Sequence, residues 1–356
     1  MAARVKSMAA GVNAPTIAAG LARGLFEYAV SKGADATTLA ARAGIDVAAL
    51  RDPDSRIAYA KYIALMHAGE ALCGDPALAL HYGEAVDMSE VSIVGLIMNA
   101  SETMLHAFAQ MKRFGKLALE AGDAAGEDAI QLALDGEQMW LVDTRANALE
   151  FPEQAEELFA RLTCGPRRFL PRPHVLKVEF AHAAPAWRAE HDRIFQCPVT
   201  FGAVRNAMRM EPSLATHKVA LQPRYAFGVL SAHAERLLKE LAASKTVRGR
   251  VESLLMPILH TGEANMDGIA DAMGFSRATL LRKLKAEGVT FEKVLDDLRH
   301  KLALHYLRGQ KASVNETAYL VGFSDPGTFS RAFKRWTGSS PRTVRAAAPK
   351  NDADVA

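Results

Sequence analysis

Ala270-x-x-x-Gly274-Phe275-Ser276, followed by Leu280-x-Arg282-x-Leu284-Lys285, returns further along the chain as Ala318-x-x-x-Gly322-Phe323-Ser324, followed by Phe329-x-Arg331-x-Phe333-Lys334. Each copy predicts a helix, a tight turn and a second helix. The Gly takes the left-handed conformation that costs other residues a Cβ clash, and the Ser two positions on is placed to cap the next helix. Apolar residues set the interhelical angle: Ile269, Met273 and Phe275 against Leu280 and Leu284 in one copy, Val321 and Phe323 against Phe329 and Phe333 in the other. The small Ala lets the second helix approach closely. Arg and Lys are left facing outward, which suits an element lying in the major groove of DNA.

The first reading helix is expected over Arg277–Glu287 with Ser276 as N-cap, the second over Asp325–Thr337 with Ser324 as N-cap and Pro326 in its first turn. Between the copies, Phe291, Val294, Leu295, Leu298, Leu302 and Tyr306 share one face of a helix that Gly309 stops. Ser313 with Glu316 has the spacing of a capping box for the next helix. Upstream, Lys245–Leu259 is a helix interrupted at Pro257. A stiff connector of this length would set the two reading helices in successive major grooves on one side of the duplex, about 34 Å apart.

Two copies in register, closed by Phe329-Ser330-Arg331-Ala332-Phe333-Lys334-Arg335-Trp336-Thr337-Gly338-x-x-Pro341, resemble the DNA-binding domain of the AraC/XylS family of bacterial transcription regulators over Asn265–Arg345. The resemblance implies base-facing positions at Ala278, Leu281 and Arg282 in the first reading helix and at Pro326, Gly327 and Arg331 in the second. Arg282 and Arg331 fit best, since a guanidinium bonds O6 and N7 of guanine together. Leu281 departs from the polar residue often found there and favours apolar contact with a thymine methyl, whereas Gly327 offers no side chain. Arg277, Lys283, Lys285, Lys334 and Arg335 are expected as phosphate contacts or solvated surface.

The charge distribution agrees. Lys245–Lys350 carries 18 Lys and Arg against 10 Asp and Glu, a net of +8, within a chain of formal net charge +3, so the remainder is at −5. A polyanionic partner is expected on the basic part, with binding that weakens steeply in salt. At 356 residues and 49% apolar content the chain should form more than one domain. No apolar run is long enough to span a bilayer and Met1–Gly11 lacks a signal-peptide core, so a cytoplasmic protein without a membrane role is expected. Cys73, Cys164 and Cys197 lie far apart without metal-ligand spacing and are read as reduced thiols; neither a metal nor a cofactor is expected.

The N-terminal half reads as helical and Ala-rich from Thr16 to Val86, with a loop at Asp52-Pro53-Asp54. Thr38–Ile45 imitates a third helix-turn-helix, but nothing basic follows at groove-facing spacing, so a packing pair is expected. Val91–Phe114 is apolar and helical, with Ser101 expected as a cap. The rhythm then shifts to strands at 129–135 and 139–143 around Asp135-Gly136, a helix at 151–169, a strand at 175–180, a helix at 187–195 and short strands at 199–201 and 207–210. The expected fold class is therefore multi-domain: an α+β regulatory domain with a small antiparallel sheet, then an all-α domain of two helix-turn-helix motifs joined by a long helix. Its expected boundaries are a flexible start (1–15), the regulatory domain (16–211), a connection (212–244) containing a break at Pro223, the DNA-binding domain (245–345) and a flexible tail (346–356).

Asp52-Pro53-Asp54-Ser55-Arg56-Ile57, the 94–103 segment and Ile194-Phe195-Gln196-Cys197-Pro198-Val199-Thr200-Phe201-Gly202-Ala203-x-x-Asn206 resemble the arabinose-binding-type domain found in one branch of the same family. That implies a regulatory module sensing an effector, without making the effector a sugar. Arg167, Arg168 and Arg172, read as a basic loop beginning at Cys164-Gly165-Pro166, are candidates for holding an anionic effector, with a solvated loop as the alternative. His182, His191 and Cys197 belong to no nucleophile elbow, phosphate loop or ligand pattern, so no catalytic residue is expected. The leading expectation is a regulator of transcription that binds double-stranded promoter DNA under the control of a small-molecule effector or of homodimerisation, with RNA polymerase as a further partner if it activates. A constitutive DNA-binding protein without ligand and, further off, a DNA-repair enzyme using the repeats for targeting remain alternatives.

Overall fold

A computed structural model describes residues 14–120, 129–145, 148–170, 172–219, 224–309 and 312–347. The expectations for the two ends of the chain and for a break at Pro223 lie outside these residues, apart from the short stretches at 14–15 and 346–347. The chain divides into two compact units, Met1–Lys239 and Glu240–Ala356.

The first unit runs β1 (Thr16–Ala18), α1 (Ala19–Ser31), α2 (Ala36–Ala43), β2 (Arg56–Ala58), α3 (Tyr59–Cys73), α4 (Leu78–Ala85), α5 (Met88–Val91), α6 (Ile93–Asn99), α7 (Met104–Ala118), β3 (Ile130–Asp135), β4 (Gln138–Asp143), α8 (Glu153–Arg167), β5 (Val175–Glu179), α9 (Arg188–Phe195), β6 (Val199–Thr200) and β7 (Asn206–Met210), and leads into α10 (Arg224–Ser244). The five-stranded sheet has the order β3-β4-β7-β5-β6, antiparallel except for the β5–β6 pair. One core lies among α1, α2 and α3, where Leu25, Leu39, Tyr62 and Leu65 are buried; a second joins α8 and α9 to the sheet through Phe159, Val178, Phe180, Phe195 and Met208.

Two local readings are corrected here. Thr16–Val86 is not wholly helical: β1 and β2 pair antiparallel, with Ile17 opposite Ile57. Three-residue strands are too short to show an alternating pattern, and Arg56 holds the pair by donating to the carbonyl oxygens of Thr16 and Leu117. Burial draws its guanidinium down to about 10, against the opposing pull of Glu120. Nor does Ser101 cap a helix: it is buried and donates to Ile97 O, while Ser92 caps α6 and Thr103 caps α7. Asn206 accepts from Ala181 N and donates to Asp143, which also holds the buried Arg145 at 2.6 Å.

The second unit is all helical: α11 (Val247–Leu255), a 3-10 turn at Met256–Thr261, α12 (Met266–Ala272), α13 (Arg277–Ala286), α14 (Phe291–Arg308), α15 (Val314–Leu320), α16 (Pro326–Thr337) and α17 (Pro341–Ala346). Its core contains Leu280, Leu284, Val294, Leu298, Val321, Phe329 and Phe333. Among the described residues no helix is long and apolar enough to cross a membrane.

Candidate nucleic-acid interface

In the first helix-turn-helix, Asn265 caps α12 by accepting from Gly268 N, and Ser276 caps α13 by accepting from Thr279 N. Gly274 between them has φ 69°. In the second, the capping box is present as expected: Ser313 accepts from Glu316 N while the Glu316 carboxylate accepts from Ser313 N. The cap of α16, however, is Asp325 and not Ser324. The Asp325 carboxylate accepts from Thr328 N at 2.6 Å, and Pro326 occupies the first turn, where its missing N–H is no loss. A carboxylate at a helix N-terminus also meets the positive end of the helix dipole, and these hydrogen bonds hold its pKa below the usual carboxylate range.

On α13 the buried Leu280 and Leu284 turn Ala278, Leu281, Arg282 and Lys285 outward together, with Leu281 52% exposed. This is the i, i+3, i+4, i+7 spacing of one helix face. Arg282 and Lys285 make no ion pair or side-chain hydrogen bond among the described residues, which leaves both cations available. Arg277 is engaged by Asp267 at 2.7 Å, and Lys283 lies over the Phe275 ring.

On α16 the buried Phe329, Ala332 and Phe333 turn Gly327, Thr328, Arg331, Lys334 and Arg335 outward, while Pro326 is half-buried. Arg331 donates to Thr328 Oγ1 at 3.0 Å, and Arg335 pairs with Asp296 at 3.2 Å. Thr328 escaped the sequence reading, although its hydroxyl stands on the outward face where Gly327 contributes nothing.

Three further arginines bear on this face without any motif in the sequence to mark them. Arg299, on α14, donates to the carbonyl oxygens of Val321 and Gly322, each at 3.1 Å, and stacks over Phe323 at 4.7 Å. The connecting helix thereby clamps the turn of the second motif. Arg342 and Arg345 line a surface depression with Ser313 and Asn315 beside the start of α15, adding positive charge beyond α16.

In the other unit, the three arginines suggested for an anionic effector do not converge. Residues 164–167 close α8 and are not a loop. Arg167 donates to the carbonyls of Ile194 and Phe195, Arg168 lies beside Asp87, and Arg172 is exposed. Burial pushes the Cys197 thiol up to about 11, and those of Cys73 and Cys164 upward as well, which leaves them protonated and poor nucleophiles.

Residues 33–219 match the family described as the arabinose-binding domain of AraC transcription regulator, N-terminal, more than half of the chain, and residues 269–347 match a helix-turn-helix domain. The chain is 28% identical to the ornithine utilization regulator of Pseudomonas aeruginosa over 325 residues, covering 90% of this chain and 92% of that protein. It is 44% identical to the HTH-type transcriptional activator RhaS of Escherichia coli over 84 residues, 23% of this chain and 30% of that one. Among solved structures, the transcriptional regulator CdpR from Pseudomonas aeruginosa aligns over 92% of this chain and 98% of its own, with 21% identity and a TM-score of 0.43.

Proposed function

This chain belongs to the AraC family of transcription regulators, and from that premise we propose that it grips promoter DNA with α13 and α16 in successive major grooves on one face of the duplex. The family is one of regulators and not of enzymes. The observation that carries the reading is the exposed face of α13, where Ala278, Leu281, Arg282 and Lys285 stand together and both cations lack a partner among the described residues. Arg282 and Arg331 are assigned to bases; Lys285, Lys334 and the already paired Arg277 and Arg335 to phosphates, together with Arg342 and Arg345. Lys283, held over Phe275, is assigned to the flank of the contact. Leu281 meets a thymine methyl, and Thr328 supplies the polar reach that Gly327 lacks.

α14 spans 18 residues, about 27 Å at 1.5 Å per residue, enough to carry one reading helix toward the next turn of DNA. Footprinting with the full chain should then show protection over roughly two helical turns, phased on one face. Protection confined to a few base pairs would sink the two-groove reading. The N-terminal unit is assigned the sensing of a small-molecule effector, coupled to homodimerisation. The likeness to an ornithine utilization regulator supports ornithine as the first compound in a thermal-shift screen, and absence of a shift with ornithine and related amino acids would remove that assignment.

A further inference from the structure

His67, Glu70 and Glu153 bring three metal-ligating atoms within 4.8 Å of one another in the N-terminal unit. His67 and Glu70 are one turn apart on α3 and so share a face, and Glu153 opens α8. His67 Nε2 stands 3.6 Å from Glu153 Oε1. The rings of His67 and Phe151 meet in a T-shaped contact, 5.7 Å between centroids.

Two observations distinguish this group from the acidic clusters common on protein surfaces. Glu153 Oε2 is buried without a hydrogen-bond partner, a cost a folded protein rarely leaves uncompensated. The carboxylates around it also lack a permanent cation: among the described residues no Lys or Arg pairs with Glu70, Glu153 or the buried Glu156, and only histidines stand beside the last two, His67 at Glu153 and His182 and His191 at Glu156. Carboxylates crowded in this way repel one another unless a proton or a cation lies between them.

We propose that His67, Glu70 and Glu153 form a binding site for a divalent transition-metal cation of the zinc class, bridging α3 and α8. One imidazole and two carboxylates make a mixed nitrogen and oxygen set, which suits zinc and its neighbours and disfavours magnesium, whose sites are built from oxygen. Zinc bonds to such ligands are about 2.0–2.2 Å, so the donors around one ion sit roughly 3.3 Å apart. The His67 side chain is half-exposed, which gives the ion an entry path and leaves a coordination position facing solvent. Metal held only by the folded state would stabilise it by mass action.

The test uses the full chain, stripped with a chelator and titrated with zinc chloride alone while heat of binding and thermal melting are followed, with magnesium chloride in parallel. Saturable uptake of one zinc equivalent and a raised melting temperature are expected, with no response to magnesium. His67→Gln and Glu153→Gln should each weaken zinc binding by at least the roughly 10- to 100-fold that even outer-shell changes cost, and should lose the melting shift. Both variants are melted without metal to establish that they fold; should Glu153→Gln unfold, His67→Gln decides. No zinc uptake by the unmodified chain, or wild-type binding by His67→Gln, overturns the site. Loss of binding in His81→Gln but not in His67→Gln also overturns it, by moving the ion to the neighbouring Asp75 and Glu190. Neither readout involves DNA, so the result is independent of the DNA-binding reading.

Discussion

Arg282 and Lys285 stand on the same exposed face of α13, yet they should act on DNA in different ways. Arg282→Ala should cost about 1–3 kcal/mol on specific DNA and relax preference at one base position, because a bidentate contact to guanine is lost. Lys285→Ala should weaken specific and random duplexes alike and lower the salt slope by about one, since a single phosphate contact is lost. Titrations on both duplex types at several salt concentrations separate the two outcomes. In the N-terminal unit, His81 lies 2.7 Å from Asp75 and 3.0 Å from Glu190, which also takes a hydrogen bond from Arg193. Burial lowers its pKa, but the hydrogen bonds to the two carboxylates outweigh this and raise it above the ordinary histidine value. The stability it contributes is present below about pH 6.5 and lost as pH rises through the raised folded value. The wild-type melting temperature should therefore fall more between about pH 6 and 8 than that of His81→Gln; parallel slopes would remove His81 from the account.

At the scale of the element, the two helix-turn-helix copies are less alike than their sequences. Ser276 caps α13, but in the second copy the cap has moved one residue, to Asp325. Ser324→Ala should then leave melting almost unchanged, while Asp325→Ala lowers it and Asp325→Asn restores most of the loss, because asparagine can still accept from Thr328 N. The turn glycines differ as well. Gly274 has φ 69° with open space where a Cβ would point, so Gly274→Ala should cost about 1–2 kcal/mol. Gly322 has φ 79° and a Cβ there would sit 2.2 Å from Leu259 O, so Gly322→Ala should cost about 1–3 kcal/mol more. Denaturant unfolding of the two variants measures the difference. Repeat, turn and connecting helix were legible because each rests on local chemistry: a left-handed glycine, a capping side chain and an apolar stripe. The Asp325 cap was not, since Ser324 and Asp325 are both good capping residues and only the backbone entry angle chooses between them.

For the whole molecule, the second unit carries its own apolar core and the excess positive charge, with 18 Lys and Arg against 10 Asp and Glu over Lys245–Lys350. A fragment spanning residues 240–356 should fold alone and keep both specific binding and most of the salt dependence seen with the full chain. Gel shifts of this fragment against one spanning 1–239 check it: binding confined to the latter, or to neither, would contradict the division of labour. In the N-terminal unit the alternation of strands and helices after Gly115 is legible in the sequence, whereas β1 and β2 are hidden by the helical pattern around them. Their antiparallel pairing joins segments far apart in sequence, and Arg56 reaches across the fold to Leu117 as well.

The sequence by itself determined the doubled helix-turn-helix, the α14 connector, the α+β character of the N-terminal unit and the sign of charge on each part. Those follow from periodicity, capping and composition, which act over a few residues or over bulk. Tertiary structure alone decided that Arg299 clamps the second turn, that Arg167 is spent on the carbonyls closing α9, and that His67 and Glu70 meet Glu153 from another helix. Such groupings are set by which faces pack together, and packing brings side chains within bonding distance regardless of how far apart they lie along the chain.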